Sequence, residues 1–197
     1  MTIYTKVRAV EKVFQQLEKE ISAFQKTTGM HCIASCGRCC IKPDISATPL
    51  EFLPLAYHLF KTGEASAWYE RLKTTGAQLH CGVFIPLKKT SDHGFCQKYA
   101  YRGLICRLFG FTAMRDKNGE ARLVTCQTIK TEQPESYQKG ILHAEKGNIV
   151  FMRDYYFRLS AIDPELGREM MPVNDAIRRA LEAVFSYYAY RRLRKVS

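Results

Sequence analysis

Ile3, Val7, Val10, Phe14, Leu17, Ile21 and Phe24 recur at alternating steps of four and three, which places them on one stripe of an α-helix. Lys6, Arg8, Glu11, Lys12, Gln15, Gln16, Glu18 and Lys19 occupy the remaining face. Residues 3–26 therefore predict one long amphipathic helix, stopped near Thr27-Thr28-Gly29 by the glycine. Such a stripe suits either a homodimeric coiled coil through residues 3–26 or docking onto the chain's own core, and aromatic Phe14 and Phe24 on the seam favour docking. Thr48-Pro49-Leu50-Glu51 reads as a second helix start, with Thr48 as cap, Pro49 in the first turn and Glu51 at the capping-box position. That helix turns Phe52, Leu53, Ala56, Leu59 and Phe60 inward, bends or restarts at Pro54 and stops at Gly63. A helix over 64–75 presents Trp68 and Leu72. Further helical pattern covers 134–146, then 149–161 behind an Asn148 cap, and 174–194 after Pro172. In the last, Ile177, Leu181, Val184, Phe185 and Tyr188 form the core stripe.

Two segments, 30–47 and 80–107, lack apolar periodicity and read as irregular loops. Beyond them, Leu108–Arg115 and Ala121–Thr125 flank Asp116-Lys117-Asn118-Gly119, whose Asn-Gly is a strong turn signal, so a β-hairpin is expected. The fold class is thus mainly α: a helical single domain over 1–197 with irregular cysteine-rich metal-binding loops and one β-hairpin. Its cysteine core spans about 32–126, between flanking helices in 1–29 and 130–197.

Composition sharpens this picture. A hydrophobic content of 46% is enough for a core, and mean hydropathy is -0.25. No apolar run approaches the roughly 18 residues needed to span a bilayer. The start, Met1 to Lys6, leads into Glu11-Lys12 without the apolar centre of a secretory signal, so a cytoplasmic location is expected. The net charge of +11 suits an anionic partner, either nucleic acid or an acidic protein, although a basic surface also serves solubility. The run Arg191-Arg192-Leu193-Arg194-Lys195, preceded by Tyr187, Tyr188 and Tyr190, is the densest basic feature.

Eight cysteines in a reducing compartment point away from disulfides and toward metal. Cys32, Cys36, Cys39 and Cys40 crowd one short loop, where Gly37 lets the backbone bend between ligands. Cys81, Cys96, Cys106 and Cys126 follow at long range. Eight thiolates suit zinc in closed four-sulfur sites or an iron–sulfur centre. Adjacent Cys39 and Cys40 project in different directions along an extended chain, so they serve different ions or different edges of a multinuclear cluster. The spacing Cys32-x3-Cys36-x2-Cys39 also matches the loop of radical S-adenosylmethionine enzymes, but the helices-plus-hairpin pattern and Arg38 depart from that family. Arg102 and Arg107 flank Cys106 and are candidates to offset cluster charge. His31 and His80 each precede a cysteine and are alternative ligands. No Ser/His/Asp or paired-carboxylate arrangement stands out, so catalysis is left open.

Cys96-Gln97-Lys98-Tyr99-Ala100-Tyr101-Arg102-Gly103-Leu104-Ile105-Cys106-Arg107-Leu108-Phe109 resembles the signature block of the YkgJ-type cysteine-cluster family. The family's opening motif, ending in a vicinal pair, is matched by Cys36, Cys39 and Cys40, and Cys81 with Phe84 resembles its middle cysteine and apolar stretch. Gly103 stands where the family has proline, and Cys32 lies one residue further from Cys36 than the commonest spacing. The resemblance implies a zinc- or iron-binding protein, with an iron–sulfur or iron centre as first expectation and zinc as second. The block is also similar to part of flagellin lysine N-methylases, although no Gly-rich loop after a strand is present to cradle S-adenosylmethionine.

Overall fold

A computed structural model describes residues 1–42, 44–74, 80–88 and 93–189. The Arg191–Lys195 run, Tyr190 and Pro43 lie outside the described residues. The helices are α1 (Ile3–Thr28), α2 (Leu53–Lys61), α3 (Ala65–Thr74), α4 (Leu104–Leu108), α5 (Gln127–Glu132), α6 (Pro134–Glu145), α7 (Met152–Ile162), α8 (Pro164–Arg168) and α9 (Val173–Ala189). Short strands β1 (Ser46–Ala47), β2 (Phe84–Pro86), β3 (Gly94–Cys96), β4 (Thr112–Arg115), β5 (Ala121–Val124) and β6 (Met171–Pro172) pair antiparallel as β1–β6, β2–β3 and β4–β5. No helix of the described residues is long and apolar enough to cross a membrane.

The first helix forms where the stripe requires it. The Thr2 hydroxyl accepts from the Thr5 amide at 3.1 Å, and Gly29, at φ 78, ends the helix by returning its N–H to the Gln25 carbonyl. All seven stripe residues are buried in the chain's own core, against α2, α4, α6 and α7. This is the docking alternative: the seam through residues 3–26 is filled by the chain's own core. The opposite wall of the core is α9, whose Val173, Ala176, Ile177, Ala180, Leu181 and Val184 pack on α2 and α3.

Between these walls, Pro49–Phe52 makes a 3-10 turn before α2 begins at Leu53. The Glu51 carboxylate accepts from the Thr48 amide at 2.7 Å, realising that half of the capping box. The β4–β5 hairpin forms as expected, with the Asp116 carboxylate accepting from the Asn118 and Glu120 amides inside the turn. It is shorter than predicted because Leu108 closes α4 and residues 109–111 turn at Gly110, φ +103, before the strand begins at Thr112. Two further pairs, β1–β6 and β2–β3, correct the expectation of one hairpin. The Asn148 cap is also corrected: the Ala113 amide donates to the Val150 carbonyl at 2.8 Å, which holds Val150 and Phe151 extended beside β4 and delays α7 to Met152.

Candidate metal centre

The loop bearing Cys32, Cys36, Cys39 and Cys40 is tethered on two sides. On one side, the Gln133 side chain clasps His31, accepting from its amide at 3.0 Å and donating to its carbonyl at 2.8 Å. Arg38 reaches Thr128 of α5 on that same side, at 3.3 Å. On the other side the Gly94 amide donates to Ser35 at 3.0 Å, and the Cys81 amide donates to Cys40 at 2.8 Å. Gly37 adopts φ +63, a conformation that side chains other than glycine's resist.

Each distant cysteine is delivered by its own device. Cys96 ends β3 opposite Phe84. Cys81 stands between two residues held by Asn174 of α9: the Gly82 amide donates to Asn174 Oδ1 at 2.7 Å, and Asn174 Nδ2 donates to the His80 carbonyl at 3.0 Å. Cys106 rides on α4, whose Ile105 amide donates to buried Glu51 at 2.8 Å. Gly103 caps that helix at an ordinary φ of -66, so its role is space rather than flexibility: a Cβ there would lie 2.8 Å from Glu51 Oε2 and from the Phe52 ring. Cys126 is the N-cap of α5, and its Sγ accepts from the Ile129 amide at 3.5 Å.

None of the eight cysteines is a buried core residue, and none is in a disulfide. Cys81, Cys96 and Cys126 pack partly against the core, and the other five do not. Their electrostatics connect them. The Cys32 thiol is raised by desolvation and then by the charges of Cys39, Cys36 and Cys126. The vicinal thiols act on each other: Cys40 lowers Cys39, whereas Cys39 and burial raise Cys40. Burial pushes Cys81 up to about 11, with Cys96 and Cys39 adding to it. Cys96 is also raised by desolvation. Cys106 is pushed well up, first by desolvation and then by the charges of Cys81, Glu51, Cys39 and Cys96.

Arg102 brings a guanidinium to these thiols while also lying 3.8 Å from Glu18 of α1. It stacks over Tyr99 at 4.1 Å, and its charge lowers Cys32, Cys39 and Cys96. Arg107 turns the other way, donating to the Arg102 and Ala100 carbonyls, pairing with Glu18 of α1 and covering Phe14. Its guanidinium holds the Cys106 segment to the long helix. His31 Nδ1 lies 3.1 Å from the Gly29 carbonyl. A separate hollow of about 440 Å³, lined by Glu20, Phe24, His143 and Val150 among others, contains none of the cysteines.

Asn174, Gln133 and the second role of Glu51 were not anticipated from the sequence. Asn174 carried a signal, since it is a polar residue among the buried positions of α9.

The donor chemistry fits a thiophilic metal: accessible thiols within one another's field, an N–H directed at a sulfur and a nearby guanidinium. Among the described residues, no three His, Cys, Asp or Glu side chains are drawn together tightly enough to hold one ion. A helical scaffold presenting such a thiol set defines a metal-chelating domain. Residues 31–127, just under half of the chain, match the family model CxxCxxCC, described as a putative zinc- or iron-chelating domain. Searches of curated proteins and of solved structures gave no match.

Proposed function

We propose that the protein holds an iron–sulfur or iron centre on its cysteine loops and serves a redox or cluster-dependent role. The observation carrying this is that all eight cysteines are free, none is fully buried, and most act on one another electrostatically, although they come from segments up to 94 residues apart (126 minus 32). Cys32, Cys36, Cys39, Cys40, Cys81, Cys96, Cys106 and Cys126 are the ligands of this reading. Arg102 offsets their charge, and Arg107 positions Cys106. When bound, the centre supplies electron transfer or Lewis acidity, and the chain's own residues hold the thiolates and set the charge around them. Zinc in a structural role is the second reading, favoured by the sparse apolar content of residues 30–42. In that case the basic surface presents the zinc-stabilised domain to nucleic acid or an acidic protein.

Anaerobic purification followed by elemental analysis and visible spectroscopy tests this. Stoichiometric iron with visible charge-transfer absorbance supports the first reading, and colourless stoichiometric zinc supports the second. Cys96→Ser and Cys106→Ser should each lower metal content. A folded protein purified free of metal that takes up neither ion overturns both.

A further inference from the structure

We propose that α3 is the positioning element for Cys81 and Cys96: Trp68, Arg71 and Leu72, with Glu64 just before the helix, grip the residues that follow the two cysteines. This rests on the metal-binding reading above and adds what fixes two of its ligands in place.

Two arms make the grip. In the first, the Arg71 guanidinium lies over the buried Trp68 ring at 3.7 Å, and its Nη2 donates to the Gly82 carbonyl at 3.0 Å. Leu72 fills the place of a side chain at Gly82, with Cδ2 2.6 Å from an ideal Cβ. In the second, Lys98 Nζ donates to both carboxylate oxygens of Glu64, at 3.1 and 2.9 Å, and sits 6.0 Å from the same indole. Gly82 follows Cys81 directly, and Lys98 lies two residues after Cys96. One buried aromatic ring is thus the common seat of two cations, each tied to the chain beside a different cysteine.

Main-chain bonds join the gripped pieces. The Phe84 amide donates to the Cys81 carbonyl at 3.0 Å, the Gln97 amide donates to the Val83 carbonyl at 2.9 Å, and Phe84 pairs with Cys96 across β2 and β3. A two-stranded ladder this short is at best marginal by itself in water, so its geometry depends on what it is fastened to. Asn174 of α9 fastens it around Cys81, and α3 is the element that fastens both ends. Side chains that orient ligands without touching the metal typically change metal affinity by about 10–100-fold when removed.

Cobalt(II) is the probe, since thiolate-bound cobalt absorbs in the near-ultraviolet and visible. Loaded anaerobically into the full chain, it should be released to a competing chelator about tenfold faster from Arg71→Met and from Lys98→Met than from wild type. Thiolate-to-cobalt absorbance per bound ion should fall in the same two variants. Lys98→Arg, which keeps a cation between Glu64 and Trp68, should stay near wild type in both readouts. Arg8→Met, which removes an exposed ion pair of α1, should change neither. Far-UV circular dichroism confirms that each variant is folded, and Glu64→Gln reports on the second arm if Lys98→Met does not fold. Wild-type release and absorbance in both arms overturn the clamp while leaving metal binding intact, as does a loss of stability that moves neither readout. Wild-type protein that is folded and binds no cobalt overturns the underlying reading as well.

Discussion

The edge of the Phe84 ring occupies the place where Gly37 would carry a side chain, with Cε2 2.4 Å from an ideal Cβ. Gly37 also has φ +63, so two independent constraints exclude any larger residue from the centre of the cysteine loop. Gly37→Ala should therefore destabilise the protein by about 1–3 kcal/mol, combining backbone strain with displacement of Phe84. Denaturant unfolding measures this. An alanine variant with wild-type stability and metal content would show that the loop relaxes freely.

Asn174 is buried and satisfies one backbone group on each side of Cys81. Asn174→Ala should cost about 1 kcal/mol, because the part-buried Gly82 amide and the His80 carbonyl lose their partner. Metal retained against a competing chelator should fall in the same variant. Stability loss without any loss of metal retention would separate Asn174 from the positioning of Cys81.

Arg107 is buried and holds two carbonyls as well as Glu18, whose side chain is half exposed. Arg107→Met should therefore cost far more than Glu18→Gln: about 3 kcal/mol against less than 1 kcal/mol. Unfolding midpoints of the two variants check the ranking. Equal effects would place the stabilisation in the ion pair rather than in the carbonyl clasp.

Burial raises the Glu51 carboxyl from 4.5 to about 7. Between these values the folded protein keeps a proton that the unfolded chain releases, so stability falls as pH rises through that window. The contribution is about 3 kcal/mol in order of magnitude. Wild type should lose more stability than Glu51→Gln between pH 4.5 and pH 8, with both proteins in the same metal state. Parallel pH profiles would mean that Glu51 is ionised throughout.

Metal removal should loosen the middle of the chain and spare the outer helices. Helices α1 and α9 have complete buried faces, whereas residues 30–42 contribute little to the core beyond Met30. Limited proteolysis after chelation should cut within 30–47 and 80–126, while far-UV helicity falls only in part. Unchanged protease resistance would assign the loops' order to the polar clasps alone.

What the sequence revealed follows from range. The stripe of α1 and the Asn118-Gly119 turn are local patterns, and both formed where expected. The pairing of Ser46–Ala47 with Met171–Pro172 joins two-residue strands across most of the chain, and no periodicity can announce it. The β2–β3 pair is three residues long and contains Pro86 and Gly94, which read as loop residues. The cysteines were legible as a group because their spacing is unusual. Their tethers were not, because Gln133, Asn174 and Glu51 act on main-chain atoms of distant segments and leave no mark beside the cysteine they hold.

The separation between Cys32 and Cys126 also has a consequence during synthesis. At about 5–20 residues per second, the ribosome needs roughly 5–20 s to add the 94 residues from Cys32 up to and including Cys126 (126 minus 32). For that interval the opening four thiols have left the ribosome or are leaving it without their partners, and α9, which holds Cys81, is still to be made. The nascent chain thus offers reactive sulfur to oxidants and to the wrong ion before its own site can close. Fidelity of metal loading in this protein is therefore a race between translation and thiol chemistry, and slowing elongation should increase the fraction of chains that are oxidised or mismetallated.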